Sequence, residues 1–137
     1  MKVDKHLKGF TLVELMITLL VIAILAAISY PAYTSQVRKA ARKEAAGAVL
    51  EVAGRLERYR SQLLKYPTAD ADLSKFTQNT KRYGITVTSA NDGKEFTVTA
   101  APTGDQGNDP CGTITYSQSG VWSFTFNSAS VPESDCL

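Results

Sequence analysis

Histidine occurs once in this chain, as His6, and cysteine twice, as Cys111 and Cys136. No Ser–His or Cys–His pair is therefore on hand to activate a nucleophile beyond the first residues. The usual zinc sites are built from several His or Cys ligands, and oxidised cysteines supply none. No glycine-rich phosphate loop appears. The acidic stretch "GDQGND", residues 104–109, lacks the ligand spacing and closing Glu of a calcium loop and reads as a turn. No catalytic residue, cofactor or metal is expected, so the chain is not read as an enzyme. Charge is also missing where it matters most: residues 15–37 hold 23 consecutive uncharged side chains.

The charges that exist are unevenly placed. The formal net charge is +2 over 137 residues. Residues 1–9 carry a net +2, residues 35–66 a net +5, and residues 67–137 a net −4, with Glu14 alone between the first two blocks. A basic middle and an acidic end favour contact between copies over a wholly basic surface made for nucleic acid. The two cysteines lie near the C-terminus. A pair in an exported chain points to one disulfide, worth roughly 3 kcal/mol in the chain-entropy model; in a cytosolic protein the same pair would be free thiols.

Glu14 poses the sharpest question, because it stands at the start of a run long enough to cross a bilayer. A carboxylate inside hydrocarbon costs about 2.5–3.5 kcal/mol at a helix centre even on insertion scales. Three readings compete: a cleaved signal peptide with a small-residue site near Ala26, Ala27 and Ser29, a permanent anchor, or an anchor processed early whose apolar helix survives. The basic leader ends at Gly9 and the apolar residues begin at Phe10. Cleavage between them creates an α-amine at Phe10, one helical turn from Glu14. First-turn glutamate also suits the helix dipole. Between neighbouring chains, Glu14 can meet the Phe10 amine of another copy, and removing one member of such a buried pair costs about 3–5 kcal/mol. Glu14 is then a register device.

The stretch "KGFTLVELMITLLVIAILAAISYPAY" resembles the start of type IV pilins and of type II secretion pseudopilins. The matching features are the short basic leader ending in Gly9, then Phe10, Thr11, Leu12, Glu14, the apolar run and Tyr30–Pro31. The resemblance implies cutting by a prepilin peptidase after Gly9 and N-methylation of Phe10. It implies that Glu14 recruits and aligns subunits, and that the apolar helix docks in a fibre core after extraction from the inner membrane. The expected segments are a leader at 1–9, an apolar transmembrane and fibre-core helix at 10–34, and a globular head at 35–137.

Beyond Pro31 an apolar stripe resumes at Ala41, Ala45, Ala48 or Val49, Val52, Leu56, Tyr59 and Leu63, one face of a helix, with Arg38, Arg42, Arg55 and Arg58 placed off it. Tyr66–Pro67 ends the pattern. Pro31 removes one helical bond, so a bend or local melting near residues 27–31 is expected, either as a passive kink or as a hinge that loosens on assembly. The basic cluster at 38–43 suits a solvated or membrane-surface flank, an acidic patch on a neighbouring copy, or DNA. The positive-inside rule gives mixed support for orientation, because Lys2, Lys5 and Lys8 flank one end of the run and this cluster the other; charge counting alone would put the head on the cytoplasmic side, and the expected disulfide with the resemblance to pilins places it outside.

Residues 67–80 read as an irregular crossing loop. "RYGITVTS" and "KEFTVTA" alternate around the turn "ANDG" as a hairpin, and "CGTITYS" and "VWSFTF" form a second. The tail after residue 126 has no strong pattern. Inward residues Ile85, Val87, Phe96, Val98, Ile114 and Tyr116 should meet Val52, Leu56 and Tyr59. Trp122, Phe124 and Phe126 alternate as a strand, for core or fibre packing or as a ligand platform. The expected fold class is α+β: a long N-terminal helix whose second half packs on a roughly four-stranded antiparallel sheet, with a C-terminal disulfide loop.

The stretch "FTVTAAPTGDQGNDPCGTITYSQSGVWS", followed by a terminal "DC", resembles short minor pilins, in which a two-cysteine loop closes the C-terminal region; this chain departs from that pattern in "VPESDCL", which leaves almost no tail after Cys136. The function implied is a structural subunit of a type IV pilus, a minor pilin that helps initiate or joins a fibre serving adhesion or twitching motility. The alternatives are a DNA-uptake pilin, a major pilin and a type II secretion pseudopilin. Implied partners are other pilin subunits, prepilin peptidase, the inner membrane and the assembly platform, with nucleic acid as the alternative. The implied location is the bacterial inner membrane, single-pass with a periplasmic head, then the extracellular pilus.

Overall fold

The computed structural model describes residues 9–137; the leader residues before Gly9, with His6, Lys2, Lys5 and Lys8, lie outside them. A single helix, α1 (Leu12–Leu63), runs for 52 residues. The chain divides between Gln36 and Val37 into two units. In the first, α1 is apolar on all sides and all but Thr34 of its residues are exposed. This segment is long and apolar enough to cross a membrane, by length and composition. Pro31 sits inside the helix, which continues through it without local melting; the Thr34 hydroxyl donates to the Pro31 carbonyl at 3.0 Å.

The second unit is a helix on a sheet. After α1 come a one-turn α2 (Asp70–Leu73), then β1 (Gln78–Asn79), β2 (Tyr83–Ala90), β3 (Glu95–Pro102), β4 (Thr113–Ser117), β5 (Trp122–Phe126) and β6 (Ala129–Val131). All neighbours pair antiparallel in sequence order, a six-stranded meander. The four strands expected from alternation are present, and two more flank them. β1 is two polar residues long and carries no period for a pattern to reveal. β6 follows Asn127 and Ser128, both at positive φ (49° and 65°), the backbone of a tight two-residue hairpin; Asn-Ser signals that turn less strongly than Asn-Gly.

Period two places Tyr83, Ile85, Val87, Phe96, Val98, Ala100, Ile114 and Phe124 on one face of the sheet, all buried. Against them α1 buries Ala41, Ala45, Val49, Val52, Ala53 and Leu56. Tyr59, Tyr116 and Trp122 are only partly buried against the core, and the Tyr116 and Trp122 rings meet at a 52° tilt with centroids 4.6 Å apart. Leu63, expected on the buried stripe, is exposed in the last turn of α1.

Candidate functional site: the fibre-facing helix start and the stapled head

At the N-terminal end the described chain begins with Gly9, Phe10 and Thr11 outside the helix, all exposed. Thr11 caps α1: its hydroxyl accepts the Glu14 backbone N–H at 3.2 Å. Thr11-x-x-Glu14 is the spacing of a capping box, a signal present in the sequence that explains where the helix starts. Thr18 in turn donates its hydroxyl to the Glu14 carbonyl at 2.7 Å. Among the described residues, no hydrogen bond or ion pair engages the Glu14 carboxylate. Glu14 lies in the first turn, where the helix dipole favours it. Phe10 is 82% exposed, and Leu12, Val13, Met16 and Ile17 beside it are exposed too.

In the head, Cys111 and Cys136 are joined, 25 residues apart in sequence. The disulfide sits over Arg42, which was expected off the buried stripe. It is instead on it, at heptad spacing from Val49 and Leu56, and 6% exposed. Its Nε lies 3.0 Å from Asp109 Oδ2, an ion pair without hydrogen-bond alignment. Its Nη1 donates to the Cys136 carbonyl at 3.1 Å and approaches Cys111 Sγ at 2.7 Å. Asp109 is fully buried and also accepts the Cys111 backbone N–H at 3.1 Å.

Gln106 completes the cluster. Its amide nitrogen reaches Asp109 Oδ2, the Tyr83 hydroxyl at 3.2 Å and the Arg38 carbonyl at 3.3 Å. So "GDQGND", a turn as expected, delivers two buried polar side chains to the helix. Burial chiefly, and the nearby Asp109 charge, raise the Tyr83 pKa above its usual 10, against the Gln106 hydrogen bond. Gly112, after the cysteine, has φ +53°, and a Cβ there would stand 2.2 Å from the Thr125 carbonyl oxygen. Only glycine lets the staple lie that close to β5. The spacing of 42, 49 and 56 could have exposed Arg42; nothing local marked Gln106 or Asp109 as its partners.

No group of metal-ligating side chains is found among the described residues. What is built here is a scaffold: a fully exposed, N-capped apolar helix and a small head whose last residues are locked to α1. These are the parts of a type IV pilin, made for packing into a fibre. Comparison with known families narrows this. Residues 31–115 match the family described as "Type IV minor pilin ComP, DNA uptake sequence receptor", and residues 5–30 match "Prokaryotic N-terminal methylation motif". The chain belongs to the ComP minor pilin family. Among solved structures it is similar to a type IV pilin from Shewanella oneidensis, at 28% identity and a TM-score of 0.57, over 73% of this chain and 97% of that one. Among curated proteins none matches. The chain is thus a pilus subunit of the minor pilin class, in a family of structural pilins. Its motif and apolar helix point to other pilins and prepilin peptidase as partners, and to the inner membrane and then the pilus as its places of residence.

Proposed function

We propose that prepilin peptidase cuts this chain between Gly9 and Phe10, that Phe10 is N-methylated, and that Glu14 then draws the subunit into a fibre by pairing with the Phe10 amine of a neighbour. Before assembly the segment 10–34 spans the inner membrane and the head, 35–137, is periplasmic. Pro31 acts as a hinge when the helix leaves the lipid for the fibre core, and the subunit initiates or joins the pilus through the assembly platform.

One observation carries this reading: the helix start keeps its own cap, Thr11, on the far side of the proposed cut, while Glu14 has no partner among the described residues. Removing residues 1–9 leaves the cap in place and puts a new cation one turn from the acid. Replacing Glu14 by Ala should leave membrane insertion unchanged and drop incorporation into purified pili below detection. Normal incorporation would contradict the register role.

A second reading, DNA uptake, is favoured by the family description, which names a DNA uptake sequence receptor. Lys81 and Lys94 are exposed and Arg82 partly so. Each phosphate contact contributes roughly 0.9 to the slope of log affinity against log salt. Neutralising Lys81, Arg82 and Lys94 in the full chain should therefore flatten that slope by about 3 if they form the track. An unchanged slope removes them from it.

A further inference from the structure

The uncharged run ends in a cluster of cations. Arg38, Lys39, Arg42 and Lys43 follow residue 37 at once. Arg42 is accounted for by Asp109. Arg38, Lys39 and Lys43 make no ion pair among the described residues. Lys39 and Lys43 are exposed, one helical turn apart, and with Arg42 they border a cavity of about 280 Å³ closed on its other side by residues 134–137. A water molecule's share of volume is about 30 Å³, so a phosphodiester fits. Asp135 also faces this cavity; its carboxylate takes the Ser134 hydroxyl at 3.3 Å.

What precedes the cluster is equally telling. Tyr30 and Tyr33 are 73% and 70% exposed at the end of the apolar run. Exposed tyrosines and then lysines are the order of side chains met on leaving a bilayer: an aromatic belt, then the phosphate level. With the head periplasmic, as proposed above, these cations lie on the side of the membrane where the positive-inside rule disfavours them, so their presence there needs a cause.

We infer that Lys39 and Lys43, with the cavity between them and residues 134–137, bind the phosphate of an anionic phospholipid headgroup in the outer leaflet of the inner membrane before the subunit enters a fibre. This rests on the head-outward anchoring proposed above. Each lysine near an anionic surface contributes about fivefold, so the pair gives about 30-fold preference for an anionic over a zwitterionic lipid.

The test uses the full chain in nanodiscs of equal parts phosphatidylglycerol and phosphatidylcholine, with the lipids that stay bound on gentle release counted by native mass spectrometry. The expected result is phosphatidylglycerol enriched about 30-fold in the wild type, near parity in the K39Q/K43Q variant, and enrichment kept in K81Q/K94Q. No enrichment in the wild type, or enrichment that survives K39Q/K43Q, overturns the site. Displacement of the lipid by millimolar inorganic phosphate, or by a short DNA duplex, makes it a general anion or nucleic-acid site and overturns the membrane assignment. A chain that never enters the nanodisc overturns the anchored reading together with this one; a chain that enters without lipid preference overturns this one alone.

Discussion

The two halves of α1 share one backbone and live in opposite surroundings. In the head, Val49, Val52 and Leu56 on α1 are fully buried against the sheet. Before Val37, leucines and isoleucines of the same helix stand more than half exposed, Leu19 at 58% and Ile24 at 54%. The head carries its own core, its own ion pair and its own covalent closure. The N-terminal half satisfies its backbone internally, as a helix must in lipid, and leaves all its side chains but Thr34 exposed. Folding and assembly are thereby separated along one helix: the head answers to its own sequence, the N-terminal half to lipid or neighbours.

Substitutions that respect or cross this divide test it. The largest effect should follow Arg42→Met, which leaves Asp109 buried without its cation; losses of that kind run to about 3–5 kcal/mol, read as a lower denaturation midpoint of the full chain in detergent. Replacing Asp109 by Leu as well should restore part of the loss. Next, Leu56→Ala should cost about 2–5 kcal/mol, as core truncations do. The same truncation at Leu19 should change head stability by less than about 0.5 kcal/mol. Equal effects at the two sites would break the comparison.

A smaller effect concerns pH. Tyr83 has its pKa raised in the folded head, chiefly by burial. A raised folded pKa means the neutral phenol is favoured: the contribution is complete below the unfolded value near 10 and is lost as pH rises through the folded value. Through this group the head should lose stability as pH rises above about 10, and Tyr83→Phe should reduce that part of the alkaline limb, followed by circular dichroism. Smallest is Gly47→Ala on the exposed side of α1. A Cβ there meets nothing within 4 Å and the backbone is helical, so a gain of about 0.5–1 kcal/mol is expected in the midpoint of the isolated chain.

The parts of this molecule that were legible in its sequence are those with a period. Alternation within residues 82–89, 94–100, 111–117 and 121–126 announced four strands, found at 83–90, 95–102, 113–117 and 122–126, and the apolar stripe on α1 announced what covers them. β1 and β6 were hidden because they are two and three residues long, Gln-Asn and Ala-Ser-Val, too short to show a period, and are held by the strand beside them. Arg42 departs from the expectation that a charged side chain stands on the outer face of the helix. Its position at heptad distance from Val49 placed it inward, and only the fold brings Asp109 and Gln106 across from a loop more than sixty residues away. The capping role of Thr11 was equally legible, in the spacing of Thr11 and Glu14.

The account turns on Glu14, and a map of the assembled fibre tests it most directly. Its carboxylate should lie within about 4 Å of the α-nitrogen of Phe10 on an adjoining subunit, shielded from water. A carboxylate turned to solvent with no such nitrogen in reach would contradict it.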